Sequence, residues 1–280
     1  MKILKNILLL STLAVSFASC DLDEYPESSF NEERITWKSV AEYDKFRTGA
    51  YSLYQGLNGG YNTYAADYQS DLFNITTNSG NAGGDLHRWD FTSSQANIEN
   101  IWRYNYQMIG NINLILNNID QVEVANDNEK KFIQNTTGEF HLLRAIAYHT
   151  LALRFAKSYD KSTASKDMGL PLVKVFDETL KPSRASVEET YAFIKEDIAK
   201  AKELSLAKSK SDVDYLTQGV VDALGARVAL SMKEYEEAIK YAKAVVAHYP
   251  LANNKESFKE MGQNDTSSEI IFQNFTTADK

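Results

Sequence analysis

From Trp37 onward, apolar side chains return every three or four residues, the period of a helix that buries one face. Trp37, Val40, Tyr43, Ala50, Tyr51 and Tyr54 predict a first helix over about 36–57. Ile98, Ile101, Trp102, Met108, Ile109, Ile112, Ile115, Leu116 and Ile119 hold the spacing for six turns and predict a second. A third spans about 128–159, with Phe140, Leu143, Ala147, Leu151 and Phe155 on one stripe. Ser186, with Glu189 three residues on, reads as a capping box that opens the fourth helix, whose stripe is Val187, Tyr191, Ile194, Ile198, Ala201 and Leu204. Thr217 opens a fifth running to about Met232, and Tyr235 to Tyr249 forms a sixth that Pro250 stops. The pattern predicts an all-α chain.

Two stretches break the period. Residues 58–95 hold five of the thirteen glycines and many Asn, Ser and Thr, predicting an irregular loop far longer than ordinary connections; such loops tend to carry function. Asp160 to Arg184 contains Gly169-Leu170-Pro171-Leu172-Val173-Lys174-Val175, read as a short extended segment. The last helix pair, about 216–250, resembles a tetratricopeptide repeat: Ala223, Leu224, Ala226 and Leu230 precede Tyr235-Glu236-Glu237-Ala238-Ile239, then Ala242 and Pro250.

The N-terminus has a different character. Lys2 and Lys5 precede twelve apolar or small residues, Ile7 to Ala18. As a helix these rise about 18 Å, too short for a hydrocarbon core of about 30 Å, so 1–19 reads as a signal peptide. Cys20, the sole cysteine, follows Ala18 and Ser19 in an arrangement that resembles a bacterial lipobox, although Phe17 stands where an aliphatic residue is usual. Lipidation is therefore expected at Cys20, followed by a polar tether over 20–35. Asp21-Leu22-Asp23-Glu24 resembles the surface-export signal of Bacteroidetes lipoproteins. The helical domain then occupies 36–280.

Composition narrows function by exclusion. With 38 acidic against 30 basic side chains, net charge −8, nucleic acid is not the expected partner, because phosphate binding needs a basic surface. One cysteine and four histidines, without an HExxH, argue against a zinc site. No nucleotide-binding glycine motif and no GxSxG occurs, so neither cofactor nor metal is expected.

An ordered set of motifs resembles the SusD/RagB family, outer-membrane glycan-binding lipoproteins of the Bacteroidetes built on tetratricopeptide-like helix pairs. The set comprises Trp102, Tyr106, Ile109 and Ile112-Asn113; Gly138-Glu139 through Leu143-Arg144-Ala145 and Tyr148; and Gly169-Leu170-Pro171-Leu172. It continues with Lys181-Pro182-Ser183-Arg184 into Glu189, Tyr191, Ile194 and Asp197, then Ala223 to Leu230 with Tyr235 and Ala238, and closes on Ser268-Glu269-Ile270-Ile271-Phe272, which matches a family strand. The resemblance implies a non-enzymatic glycan-binding lipoprotein that sits over a SusC-type TonB-dependent transporter in the outer membrane and faces the exterior. Family members are considerably longer, so it also implies either a short member or a truncated product lacking the C-terminal half.

A sugar offers hydroxyls at its edge and C–H groups on its faces, so its site needs exposed rings flanked by polar partners. The long loop fits that need. Tyr51, Tyr54, Tyr61, Tyr64 and Tyr68 fall within 18 residues, and Asp85-Leu86-His87-Arg88-Trp89-Asp90 follows. Trp89, Arg88, Asp85 and Tyr64 are the expected glycan contacts; for Trp89 the alternative is a hydrophobic pin holding the loop to the helices. Trp102, on an apolar stripe, is expected in the core. Arg144 and Arg227 are expected to pair with Glu139, Asp197 or Asp222. Two competing functions are a helical-repeat scaffold that binds only protein, and a glycosidase, for which no opposed carboxylate pair is evident.

Overall fold

Ser39 sets where the first helix begins. Its hydroxyl accepts from the Glu42 amide while the Glu42 carboxylate accepts from the Ser39 amide, so α1 runs Val40–Leu57. The computed structural model describes residues 38–70, 72–76, 78, 80–204, 206, 214–264 and 266–273. The expected signal peptide, Cys20 and the tether lie outside these. The chain divides into Met1–Thr36 and a unit from Trp37 to Lys280.

Further helices follow: α2 Tyr61–Gln69, α3 Gly84–His87, α4 Ala96–Asn118, α5 Asp127–Phe155, α6 Val187–Glu203, α7 Gln218–Ser231, α8 Tyr235–His248 and α9 Lys255–Asn264. Between α5 and α6, β1 (Met168–Pro171) pairs antiparallel with β2 (Arg184–Ser186). Among the described residues no helix is long and apolar enough to cross a membrane.

The long loop predicted over 58–95 is therefore not wholly irregular, since α2 and α3 lie inside it. Helix α2 has nine largely polar residues, too few to persist alone. Tertiary contacts hold it: Ala65 is buried, and Arg154 Nη2 of α5 donates to the Asn62 carbonyl at 2.6 Å. The expected terminal strand is also absent among the described residues. Residues 268–273 form turn and irregular chain, Glu269 accepting from the Ala252 amide at 2.7 Å and Phe272 reaching the rings of Tyr51 and Tyr54. Ser268 and Glu269 thus bond to the chain at Pro250 and Ala252, and Phe272 packs on α1.

Helix α5 is the axis of the bundle. It packs against α4, α6, α1 and β1, and residues 139–145 are buried on every face. Such burial forces each polar group there to find a partner. Glu139 receives two hydrogen bonds from Arg47 of α1, at 2.7 and 2.8 Å, and one from the Tyr51 hydroxyl at 2.9 Å. Arg144 meets both carboxylate oxygens of Asp197 on α6 at 2.8 Å, and its Nη1 donates to Asn113 Oδ1 of α4 at 2.6 Å. His141 Nδ1 completes the set, 2.7 Å from Asp197. Trp102 is half-buried between Tyr106 and Phe155, with the Arg184 guanidinium over its ring at 5.1 Å.

Helix α6 opens as expected, Ser186 and Glu189 capping each other's amides at 2.8 and 3.1 Å. Helices α7 and α8 form the repeat-like hairpin. Gly225 permits their approach, since a Cβ there would lie 2.9 Å from the Tyr241 ring. Gly169 is under tighter constraint: a Cβ would collide with the Ser186 carbonyl and the Thr190 hydroxyl. Gly169→Ala should thus lower the unfolding free energy by about 1–3 kcal/mol, the usual effect of overpacking, read as a shift in urea midpoint. An unchanged midpoint would mean that the β1–β2 turn can yield.

Candidate functional site

Helix α3 is a four-residue anchor for the loop that carries the predicted contacts. Leu86 packs with Ala65 of α2 and Ile101 of α4, and Tyr68, Phe91, Ile98 and Phe155 surround that small core. His87 Nδ1 lies 3.2 Å from the Tyr68 carbonyl. At Gly83, φ is 77° and a Cβ would lie 2.6 Å from the Tyr68 ring, so only glycine lets the chain pass. Leu86 thus pins the loop, and Trp89 is 66% exposed.

The backbone at Trp89 explains how that ring is displayed. The Trp89 amide donates to the Leu86 carbonyl at 3.1 Å and the Asp90 amide to the Asp85 carbonyl at 2.8 Å. Those two bonds make a Schellman ending, whose left-handed position glycine usually fills. Here Trp89 fills it, at φ 58°. A bulky side chain in that region costs about 1–2 kcal/mol, and such strain concentrates at functional sites.

Trp89 stands at one wall of a groove of about 630 Å³, within the range of ligand sites. Ala65, Ala66 and Gln69 of α2 also line it, with Ile98 and Ile101 of α4, Thr150, Leu153, Arg154 and Phe155 of α5, and Arg227 of α7. Phe91 and Ser93 join Trp89 from the loop, the two rings 6.1 Å apart.

Of the four predicted contacts, only Trp89 lines the groove. Tyr64 is 50% exposed on α2, its ring 6.1 Å from that of Tyr68. Asp85 accepts from Gln95 Nε2, and Arg88 Nη1 donates to Asn81 Oδ1, both at 2.9 Å. Tyr64 thus lies on α2, Asp85 within α3 and Arg88 at its C-terminal end, and none of the three lines the groove.

Sequence reasoning missed Phe91, Arg154 and the groove-facing role of Phe155. Arg227 was expected in an ion pair, yet it is exposed and has no carboxylate partner among the described residues; Asp222 instead faces Lys202 at 3.8 Å and Gln218. The available signal was Arg154, a cation closing the apolar run Leu151-Ala152-Leu153. Burial lowers its pKa from the ordinary value, and arginine stays charged in proteins regardless.

Residues 22–230 match a SusD-like family described as starch-binding and associating with outer membrane. The chain belongs to the SusD-like family. Solved structures agree on the fold. A putative sugar binding protein from Bacteroides vulgatus is 22% identical, with TM-score 0.72 over 86% of this chain and 55% of its own. A SusD superfamily protein from Bacteroides fragilis is 21% identical, with TM-score 0.71 over 86% and 57%. A laminarin binding SusD-like protein is 18% identical, with TM-score 0.66 over 84% and 51%. This SusD-like chain thus spans about half the length of the solved structures it matches. No curated protein matches it.

Proposed function

We propose that this chain is a carbohydrate-binding, non-catalytic lipoprotein of the outer membrane, anchored through Cys20 and facing the exterior. In this reading it works with a SusC-type TonB-dependent transporter to which it delivers oligosaccharide. The observation that carries it is Trp89, an exposed indole kept in a strained backbone at the wall of a groove. A flat ring in that position can stack on the C–H face of a pyranose. Tyr64, Asp85 and Arg88 are the polar and aromatic neighbours proposed to reach the parts of a longer glycan outside the groove. Family membership and the fold shared with sugar-binding proteins support the same reading. Affinity should be micromolar or weaker, since a half-open site leaves much of a polar ligand in water.

Trp89→Gly separates binding from folding. Glycine relieves the left-handed strain, so stability should stay within about 1 kcal/mol of the parent. Affinity for a bound oligosaccharide such as laminaritetraose should fall by about tenfold or more, as for a hot-spot aromatic. Unchanged calorimetric affinity in this variant would sink the assignment of the site.

A second reading rests on α8. Tyr235, Ile239 and Val246 are exposed along one of its faces, as they would be in a repeat scaffold that binds a protein partner. Copurification with the transporter, alongside no heat of binding for any glycan, would favour that reading.

A further inference from the structure

The groove's charge does not match that of the chain. The protein carries net charge −8, yet the groove walls hold two guanidinium groups, Arg154 and Arg227, and no carboxylate. Arg154 is partly buried, and among the described residues its one hydrogen-bond partner is the Asn62 carbonyl at 2.6 Å. Among the described residues, four of its five N–H donors are left for other groups. Arg227 makes no ion pair among the described residues, although carboxylates are plentiful elsewhere on the surface. A partly buried cation such as Arg154, without a counter-ion among the described residues, carries a desolvation cost that an anion would relieve.

We propose that this groove selects acidic saccharides, glycans bearing carboxylate or sulfate, with Arg154 and Arg227 binding the anion while Trp89, Phe91 and Phe155 hold the sugar's apolar faces. The proposal rests on the reading of the groove as a glycan site. Two guanidinium forks suit the planar oxygens of a uronate or the oxygens of a sulfate ester through paired charge-assisted hydrogen bonds. The net charge of the chain would then be no guide to its ligand.

Calorimetric titration of the full chain in detergent tests the proposal with four probes: tetragalacturonate, its fully methyl-esterified form, a sulfated tetrasaccharide from carrageenan, and laminaritetraose. The expected result is that tetragalacturonate or the sulfated probe binds about tenfold more tightly than the neutral ester, the size of one charge-assisted hydrogen bond. Whichever acid binds identifies the anion. Half-molar salt should close most of that gap, and Arg227→Gln should bring the acid towards the level of the ester. Arg227 is exposed, so its replacement does not threaten the fold, and the salt dependence of the unaltered protein is independent of any variant. Equal or tighter binding of the ester would overturn the acid preference; if Trp89→Gly also abolished that binding, the glycan site itself would stand. No heat with any of the four probes would overturn both.

Discussion

Asp197→Ala should lower the unfolding free energy by about 3–5 kcal/mol, because it leaves a buried guanidinium without its counter-ion. Arg144 and Asp197 are almost wholly inside, joined by two hydrogen bonds of 2.8 Å, with Asn113 and His141 completing the network. Burial alone would raise the carboxyl pKa, but hydrogen bonds from Arg144 and His141 outweigh it and hold it below the ordinary aspartate range. Its contribution to stability is therefore present above the unfolded pKa and lost as pH falls through the lower, folded one. The control is Arg144→Met with Asp197→Leu, which removes both charges and should recover most of the loss. If alanine at 197 left the urea midpoint within 0.3 M of the parent, about 0.3–0.9 kcal/mol at the usual urea slope, the pair would not be the strut described here.

The second large effect appears with pH. His149 on α5 is buried, its Nε2 3.1 Å from Ser231 Oγ. Burial, and to a lesser degree the nearby Arg227 cation, push its pKa down to about 4 from an ordinary 6.5. Between those values the unfolded chain takes up a proton that the folded one refuses. Stability is thus present in full above the ordinary value and drains as pH falls through the folded one, by an amount on the order of 3 kcal/mol. Urea unfolding at pH 7, 5.5 and 4 should show the parent losing that much relative to His149→Gln, which has no proton to gain there. Parallel curves for the two proteins would show that the ring is solvated in the folded state. Acids that titrate in the same window cancel in the difference.

The long helices were legible in the sequence because each places a sustained apolar stripe against α5 or its neighbours. Ser186 with Glu189 and the α7–α8 hairpin were legible for local reasons, a reciprocal cap and small residues at a close crossing. Helices α2 and α9 were not, since both are short and polar, and α2 owes its form to Ala65 and to a hydrogen bond from Arg154, 92 residues away. The site shows the same division. Trp89 stood out because no helical stripe had a place for it. Phe155 and Arg227 looked like parts of helix faces, and only tertiary packing brings them to one groove with Trp89. Arg47 was invisible as the partner of Glu139 because nothing local links positions so far apart.

That last connection bears on how the chain is made. The Tyr51 hydroxyl donates to Glu139 and accepts from the amide of Leu216, 165 residues later. At a synthesis rate of about 5–20 residues per second, roughly 8–33 s separate the appearance of the tyrosine from that of the Leu216 amide. During that interval α1 can already dock on α4 and α5, but the Tyr51 hydroxyl still lacks the Leu216 amide. The contacts of α1 are therefore completed in stages, and a nascent chain halted before residue 216 would hold α1 against α4 and α5 with the tyrosine hydroxyl still short of that donor.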